Sequence, residues 1–195
     1  MNEENITTGQ VVLETIKTIL IVGFFAILIR TFLLQPFIVE GRSMEPNFAN
    51  NDYLLIDKLS YRLREPARGE IIVFRYPKDT RQNYIKRVIG LPGETVMIEG
   101  NQIQVFSSSD TTGKPLHETY LPADTVTSVF GSDKKLSITL QADEYFVLGD
   151  NRDASSDSRS FGAVKKGLIL GKTLFRLFPL GTIHVFAHEP DPLSS

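Results

Sequence analysis

The chain has no cysteine and only three histidines among its 195 residues. The absence of cysteine excludes disulfides, thiol catalysis and cysteine metal sites, although it leaves the cellular compartment open. His117, His184 and His188 show no spacing with an acid and a nucleophile that would indicate a Ser-His-Asp triad, so each is expected to be structural or exposed. Any catalytic chemistry must therefore depend on other residue types.

A strong charge of either sign is also lacking, because the formal net charge is -2 and the pI is about 5.9. No basic field is available to attract a polyanion, and we expect no nucleic-acid partner. The length and a hydrophobic content of 42% suit one catalytic unit with a small subdomain. No repeat is apparent, and no feature of the sequence indicates an oligomeric state.

One long apolar run, residues 16–34, reads IKTILIVGFFAILIRTFLL. As a helix it would be about 28 Å long, close to the thickness of a bilayer core. Lys17 and Arg30 lie near its ends, where long basic side chains reach the membrane interface. Only 18–29 is free of charge, and a run of that length also fits a buried helix. We predict a transmembrane anchor at 16–35.

The residues before this run, 1–15, are predicted to be a short tail. They contain Glu3 and Glu4 in place of the basic region of a cleavable signal, and no Ala-x-Ala-like site follows the apolar run. The anchor is therefore expected to stay attached. Lys17 precedes the apolar run while Arg30 and Arg42 lie at or beyond its far end, so the positive-inside rule does not fix the orientation.

Beyond Pro36 short runs rich in Val, Ile, Phe and Tyr alternate with turn residues, which is typical of strands. The fold class is predicted to be mainly β, an antiparallel catalytic domain (36–100 and 142–190) with a peripheral β insertion (101–141). Residues 107–113 are predicted to be a polar loop. The candidate strands are 37–40, 53–57, 70–76, 83–88, 95–99, 102–106, 136–139, 144–148, 169–175 and 182–186.

A possible nucleophile lies in the run VEGRSMEP, where a strand leads into a glycine-containing bend and then into Ser43. Such a bend presents the hydroxyl at a strand end and leaves the Ser43 amide free to stabilise an oxyanion. Ser43 taken alone would also fit an ordinary surface turn. Other residues must decide between the two interpretations.

A possible base is Lys86, which lies in an apolar strand and shares a face with Tyr84 and Val88 if the alternation is strict. Burial on that face would lower the pKa of the lysine and make it a general base near neutral pH. Arg87 points the other way and is expected to be the solvated charge.

The run GDNRDASSDSR follows the candidate strand 144–148 and is rich in charges and serines. It could be a solvated turn, and its acid spacing does not match a calcium loop, so no metal site is predicted. Two ion pairs could make it rigid, either Asp157 with Arg159 or Asp150 with Arg152. Ser155 could orient the lysine amine by a hydrogen bond.

These segments together resemble the type I signal peptidases, membrane-bound Ser/Lys endopeptidases that remove signal peptides. RSMEP resembles the nucleophile motif and YIKRVIGLPGE the lysine motif, which implies that Ser43 is the nucleophile and Lys86 the general base. GDNRDASSDSR resembles the third motif and implies that Ser155 holds the lysine. NDYLLIDK resembles a stretch thought to be structural. The matches run in family order from Phe37 to about Pro179.

The resemblance also implies residues around the catalytic ones, and it implies no cofactor. Many members carry a hydroxyl where this chain has Gly41, so the Ser43 amide would act alone or with a water. The residues that would support the site are Gly41, Asp150, Asn151, Arg152, Asp157 and Arg159. An extended substrate would add a strand beside 37–39 and 83–85, with alternate side chains entering pockets that admit only small residues. The residues that would bind it are Phe37, Val39, Met44, Phe48, Asn83, Tyr84 and Ile85, each of the bulky ones also being a candidate for ordinary core.

Other interpretations are weaker. Self-cleaving repressors of the SOS response share a Ser/Lys dyad, but they need a DNA-binding head and an internal Ala-Gly or Cys-Gly cut site, which this chain lacks. Residues 132–135 satisfy the S-x-x-K spacing of penicillin-binding enzymes without the companion motifs, so we treat the match as chance. A non-catalytic membrane-tethered module would be expected to have lost Ser43 or Lys86.

We therefore expect a single-pass membrane protein with its β domain on the outer or lumenal side, in a bacterial cell membrane or a thylakoid-type membrane. The expected partners are signal-peptide-bearing precursor proteins and the lipid bilayer. The expected cut follows small residues in an Ala-x-Ala pattern.

Overall fold

The computed structural model describes residues 8–100, 102–107, 110–131, 135–186 and 191–193. The first element, α1 (Thr8–Phe32), is a helix whose large apolar side chains are exposed from Val11 to Ile27. Its Thr8–Ile27 window has a mean hydropathy of 1.8 and is long and apolar enough to cross a membrane. The helix begins earlier than predicted, and the end of the predicted anchor is strand instead. Residues 1–7 of the predicted tail lie outside the described residues.

Strands make up most of the regular secondary structure in the rest of the described chain, which also has two short helices, α2 (Ser60–Leu63) and α3 (Ser158–Phe161). Two 3-10 turns occur at Lys166–Leu168 and Leu180–Thr182. The strands are β1 (Leu34–Ile38), β2 (Tyr53–Asp57), β3 (Ile71–Tyr76), β4 (Asp79–Gly90), β5 (Thr95–Glu99), β6 (Gln102–Ser107), β7 (Asp110–Pro115), β8 (Lys135–Thr139), β9 (Glu144–Leu148), β10 (Val164–Lys165), β11 (Ile169–Phe178) and β12 (His184–Val185).

The strands form two antiparallel sheets. The large sheet has the order β1-β2-β11-β3-β4-β9-β10, with β12 paired to β11, and the small sheet has the order β7-β6-β5-β8. The predicted fold class, mainly antiparallel β with an N-terminal apolar helix, is therefore confirmed. The small sheet begins with β5, before the predicted start of the insertion, and the division of the chain into domains stays a prediction.

Both faces of the large sheet are buried along its central strands. In β3, Ile71 and Val73 pack in one apolar cluster, while Ile72 and Phe74 pack in another on the opposite face. In β4, Ile89 lies in a third cluster that includes residues of the small sheet. A strand covered on both sides reads as a continuous apolar run rather than an alternating one. This double burial determines the environment of the polar residues that β4 carries.

Each predicted strand overlaps an observed strand, but the predicted loop at 107–113 is wrong. Asp110–Pro115 forms β7 and pairs with β6, with Lys114 opposite Val105. This hairpin is formed by backbone hydrogen bonds to β6. The side chains of β7 are mostly polar, so the sequence showed no apolar alternation there from which a strand could be predicted. Ser108 and Ser109 lie outside the described residues. So do residues 132–134 of the S-x-x-K match.

Candidate active site

Ser43 lies in the turn that follows β1. Gly41 has a φ of +94°, a value that favours glycine, and its N–H donates to Asn50 Oδ1 at 2.8 Å. Two bonds tie the turn to the loop after β9: the Asn151 N–H donates to Ser43 O at 3.1 Å, and Asn151 Nδ2 donates to Arg42 O at 3.1 Å. Asn151 therefore fixes the backbone on both sides of the serine Cα.

Lys86 meets Ser43 across the site. Its Nζ donates to Ser43 Oγ at 2.6 Å and to Ile85 O at 2.8 Å. Only 3% of Lys86 is exposed. Burial lowers the pKa of its amine to about 8, against the opposing fields of Asp157 and Asp150. The expected desolvation of this lysine is therefore present in the structure.

Arg87, the next residue on β4, is not the solvated charge that the sequence suggested. It is 1% exposed, and its Nε and Nη2 donate to the Asp150 carboxylate at 2.9 and 2.8 Å. Its Nη1 donates to Gly69 O at 2.9 Å, and its guanidinium lies 3.8 Å from the centroid of the Tyr120 ring. The prediction was wrong because it assumed that one face of β4 is solvated.

The loop after β9 contains one of the two predicted ion pairs. Arg159 Nη2 donates to Asp157 Oδ2 at 2.8 Å, and both side chains are fully buried, so this pair is confirmed. Asp157 also caps α3 and accepts the Gly149 N–H at 3.1 Å. The Asp150–Arg152 pair does not form, because Arg87 takes Asp150 and Arg152 pairs with Glu118.

Ser155 is buried beside the nucleophile turn. Its Oγ has no hydrogen-bond partner among the described residues, so the predicted bond to the lysine amine is not seen in the structure. A Cβ on Gly149 would lie 2.1 Å from Ser155 Oγ and 2.4 Å from Ser43 O. Only a glycine at 149 allows the backbone to pass between the two serines. The role of Ser155 stays a prediction.

An open cleft of about 720 Å³ contains Ser43, Lys86 and Gly41. Two of the predicted substrate-binding residues, Met44 and Phe48, do not line it; both are buried in the apolar cluster of β2 and β3, because the chain turns inward after the serine. The other predicted substrate-binding residues line the cleft, and they are Phe37, Val39, Asn83, Tyr84 and Ile85.

Three residues that the sequence did not single out are part of the site's framework. Asn47 Nδ2 donates to Asp150 Oδ2 at 2.8 Å and to Tyr120 O at 3.0 Å. Glu118 accepts from Arg152 Nη1 at 2.7 Å. Asn47 lies just after the nucleophile motif and was detectable there, whereas nothing in the sequence connects residues 118 and 120 to arginines so distant along the chain.

The two histidines within the described residues, His117 and His184, do not line the cleft. The His184 ring packs 4.6 Å from the centroid of Phe186, and the His117 N–H donates to Pro192 O at 3.0 Å. His188 lies outside the described residues. Within the described ranges no group of three or more His, Asp and Glu side chains is arranged to hold a metal ion. The chemistry that the described residues offer is that of the hydroxyl and the buried amine.

A serine hydroxyl bonded to a buried lysine amine, at one cleft of an antiparallel β body, suits a peptide hydrolase. The family model described as "Signal peptidase, peptidase S26" matches residues 12–178. The chain is 36% identical over 184 residues to "Probable signal peptidase I-2" of Synechocystis sp., covering 92% of this chain and 79% of that one. It is 34% identical over 190 residues to "Signal peptidase I S" of Bacillus subtilis (strain 168), covering 92% and 96%.

A solved structure of a signal peptidase I from Enterococcus faecalis V583 is also similar, with 34% identity and a TM-score of 0.45, covering 56% of this chain and 97% of that one. The extent of the sequence matches is decisive. The chain belongs to the signal peptidase family, peptidase S26, and is a peptidase hydrolase.

Proposed function

We propose that this protein is a signal peptidase I that cuts signal peptides from translocated precursors, with Ser43 as nucleophile and Lys86 as general base. The observation that carries the proposal is the 2.6 Å hydrogen bond between Lys86 Nζ and Ser43 Oγ in an open cleft. The relatives named signal peptidase I support the substrate class.

The first step is attack of Ser43 Oγ on the carbonyl carbon of the scissile bond. The neutral amine of Lys86 accepts the hydroxyl proton as the new C–O bond forms. With a pKa of about 8, this amine is neutral in a useful fraction of molecules near neutral pH. Lys86 then gives the proton to the departing amine of the mature protein, leaving an acyl-enzyme on Ser43. Lys86 next activates the water that hydrolyses this ester.

The negative charge on the carbonyl oxygen is stabilised by the Ser43 amide, which has no hydrogen-bond partner among the described residues. Gly41 has no hydroxyl to add, and its own N–H is bonded to Asn50. A water molecule would supply a second donor. Ser155, whose buried Oγ also lacks a partner among the described residues, would bond the lysine amine when it becomes charged.

The substrate binds as an extended strand between two unpaired strand edges. Among the described strands, β1 pairs with β2 alone, and β4 pairs with β3 alone until Arg87, where its pairing with β9 begins. The free edges of Phe37–Ile38 and of Asn83–Lys86 both border the cleft. Alternate substrate side chains enter the wall between them. The bulky side chains that line this wall leave room for small residues only, which fits an Ala-x-Ala pattern.

The helix α1 anchors the enzyme in the bilayer, because its apolar side chains are exposed along most of its length and none of its Thr8–Ile27 window is buried. β1 follows directly, so the cleft lies close to the end of the anchor. The β domain is on the outer or lumenal side of a bacterial cell membrane or a thylakoid-type membrane, where precursors emerge. The partners are the precursors and the lipid bilayer.

The test is cleavage of a precursor with an Ala-x-Ala site by the purified full chain in detergent. Wild type is expected to cut after the final alanine, while Ser43→Ala and Lys86→Ala are inert. The matched controls are Ser137→Ala and Lys165→Ala, which alter exposed residues remote from the cleft and retain full activity. Folded but inert wild type would overturn the proposed function, and equal cutting by all variants would overturn the dyad.

A further inference from the structure

A stretch of the insertion crosses behind the catalytic loop. Residues 117–130, here called the strap, contain no strand within the described chain. The strap contacts three buried arginines. Glu118 pairs with Arg152, the Tyr120 ring lies against Arg87, and Ser128 O accepts from Arg159 Nη1 at 3.0 Å. Phe130 adds a ring 4.4 Å from the Arg159 guanidinium.

The buried charges behind the site balance through these contacts. Arg87 is paired with Asp150 and Arg159 with Asp157, both within the catalytic framework. Arg152, whose side chain is 1% exposed, is paired with an acid from the strap, Glu118. Since a buried charge without a partner is strongly unfavourable, the third pair depends on the insertion. Lys86 is then the one buried cation of this cluster without a carboxylate bonded to it.

Arg152 connects the strap to the reacting groups. Its Nε donates to Gly149 O at 3.0 Å, and its own carbonyl accepts from Arg159 Nη2 at 2.7 Å. Gly149 is packed against Ser43 O and Ser155 Oγ. A shift of Arg152 therefore moves the backbone that separates the two serines. Thr127, also on the strap, accepts a further bond from Arg152 Nη1 and limits such a shift.

We propose that Glu118 is a positioning residue for the active site, acting through Arg152 to hold the wall beside Ser43 and to keep the buried charge around Lys86 balanced. This inference rests on the proposed function, because it assigns the insertion a role in the same reaction. Glu118 does not touch the cleft itself. It acts on the reacting groups from the far side of the loop.

The charge balance predicts the direction in which the pKa of Lys86 shifts when a residue of the cluster is replaced. Asp157 and Asp150 both raise the pKa of the Lys86 amine, and the Tyr84 ring lies 5.4 Å from its Nζ. The groups facing Arg152 are Glu118 and Tyr120 of the strap and Asp150 of the loop. Burial raises the pKa of Tyr120, so this ring stays neutral. Replacing Glu118 with Gln leaves a net positive charge in the cluster, which lowers the pKa of Lys86.

The experiment compares the pH dependence of kcat/KM for the full chain in detergent, using the Ala-x-Ala precursor. Glu118→Gln is expected to move the acidic limb to lower pH by roughly 0.5 pH units or more and to lower the plateau. Glu118→Asp keeps the charge and should keep the wild-type limb. Arg152→Gln removes a positive charge and should move the limb to higher pH. Glu99→Gln is the control, because Glu99 forms an exposed pair with Lys135 on the small sheet.

The outcomes separate the inference from the proposed function. Opposite shifts for Glu118→Gln and Arg152→Gln support the positioning role. If Arg152→Gln does not fold, a shift in Glu118→Gln that is absent in Glu118→Asp supports it equally. If wild type is active and the acidic limb of Glu118→Gln lies at the same pH as that of wild type, the inference is overturned while the proposed function stands. This holds even if Glu118→Gln melts at a lower temperature. A folded wild type with no cleavage at any pH overturns the proposed function instead.

Discussion

Lys86 and Arg87 are consecutive on β4 and both buried, yet only Arg87 is bonded to a carboxylate. They point to opposite faces of a sheet that is covered on both sides. Asp150 accepts two hydrogen bonds from the guanidinium, whereas the hydrogen-bond partners of the Lys86 amine among the described residues are the Ser43 hydroxyl and the Ile85 carbonyl. Burial without a bonded counter-ion lowers the pKa of Lys86. The same burial therefore reduces the stability of the folded protein when the amine is charged and makes the amine able to act as a base.

Replacing Lys86 with Met should stabilise the protein while abolishing cleavage. At pH 7 we expect a gain of about 1–3 kcal/mol in the free energy of unfolding, because the folded state no longer holds a cation in a dry site. The pKa is about 8 in the folded state and 10.5 as a free lysine. Between these two pH values the unfolded state binds more protons than the folded state, so wild type gains stability as pH rises. The stability difference between Lys86→Met and wild type therefore shrinks. Urea unfolding at two pH values measures this.

The matched variant Lys86→Arg should be folded and inactive, since arginine does not release its proton at working pH. Cleavage by either variant would exclude lysine as the base. A loss of stability in Lys86→Met at pH 7 would contradict the burial cost assigned to the amine.

Breaking the Arg87–Asp150 pair should destabilise the fold far more than breaking a surface pair. Arg87→Met leaves the buried Asp150 carboxylate with the Asn47 amide but without its cation, and we expect a loss of about 3–5 kcal/mol in the free energy of unfolding. The control is Lys135→Met, which breaks an exposed pair with Glu99 and should change that quantity by less than about 1 kcal/mol. Equal losses in the two variants would show that Arg87 is solvated after all.

Gly149→Ala should inactivate the enzyme by steric conflict. The added methyl would meet Ser155 Oγ at 2.1 Å and Ser43 O at 2.4 Å, and the second of these is backbone that cannot rotate away. We expect loss of cleavage and destabilisation of about 1–3 kcal/mol, the usual effect of overpacking. Gly167→Ala adds the same methyl where nothing lies within 4 Å, and it should behave as wild type. Full activity in Gly149→Ala would mean that Ser155 and the Ser43 backbone do not pack against Gly149 as closely as the structure shows.

Ser155→Ala tests the residue whose role rests on resemblance. Its Oγ has no partner among the described residues, so removing it should leave the melting temperature unchanged or slightly raised. Turnover should fall roughly 10- to 100-fold if this hydroxyl bonds the charged lysine amine during the reaction. Unchanged kcat would remove Ser155 from the catalytic group, whatever the effect on stability.

The sequence predicted the strands well where apolar side chains carried the pattern, as in β3 and β9, and it missed β7, whose polar residues pair through backbone bonds to β6. The apolar residues beside Lys86 in the sequence indicated that this lysine would be buried. Strand alternation alone wrongly placed Arg87 on a solvated face, because residues distant in sequence pack on that face of β4 in the folded protein. Glu118 and Tyr120 are among those residues, and their contacts with Arg152 and Arg87 depend on the folded arrangement.

The most direct test of the Ser43–Lys86 pair is the pH dependence of kcat/KM for wild type on an Ala-x-Ala precursor. The reacting form has a neutral amine, so the rate should rise with pH and level off above a kinetic pKa of about 8, the value that burial gives Lys86. A limb near 6.5, typical of histidine, or near 4, typical of a carboxylate, would contradict lysine as the base.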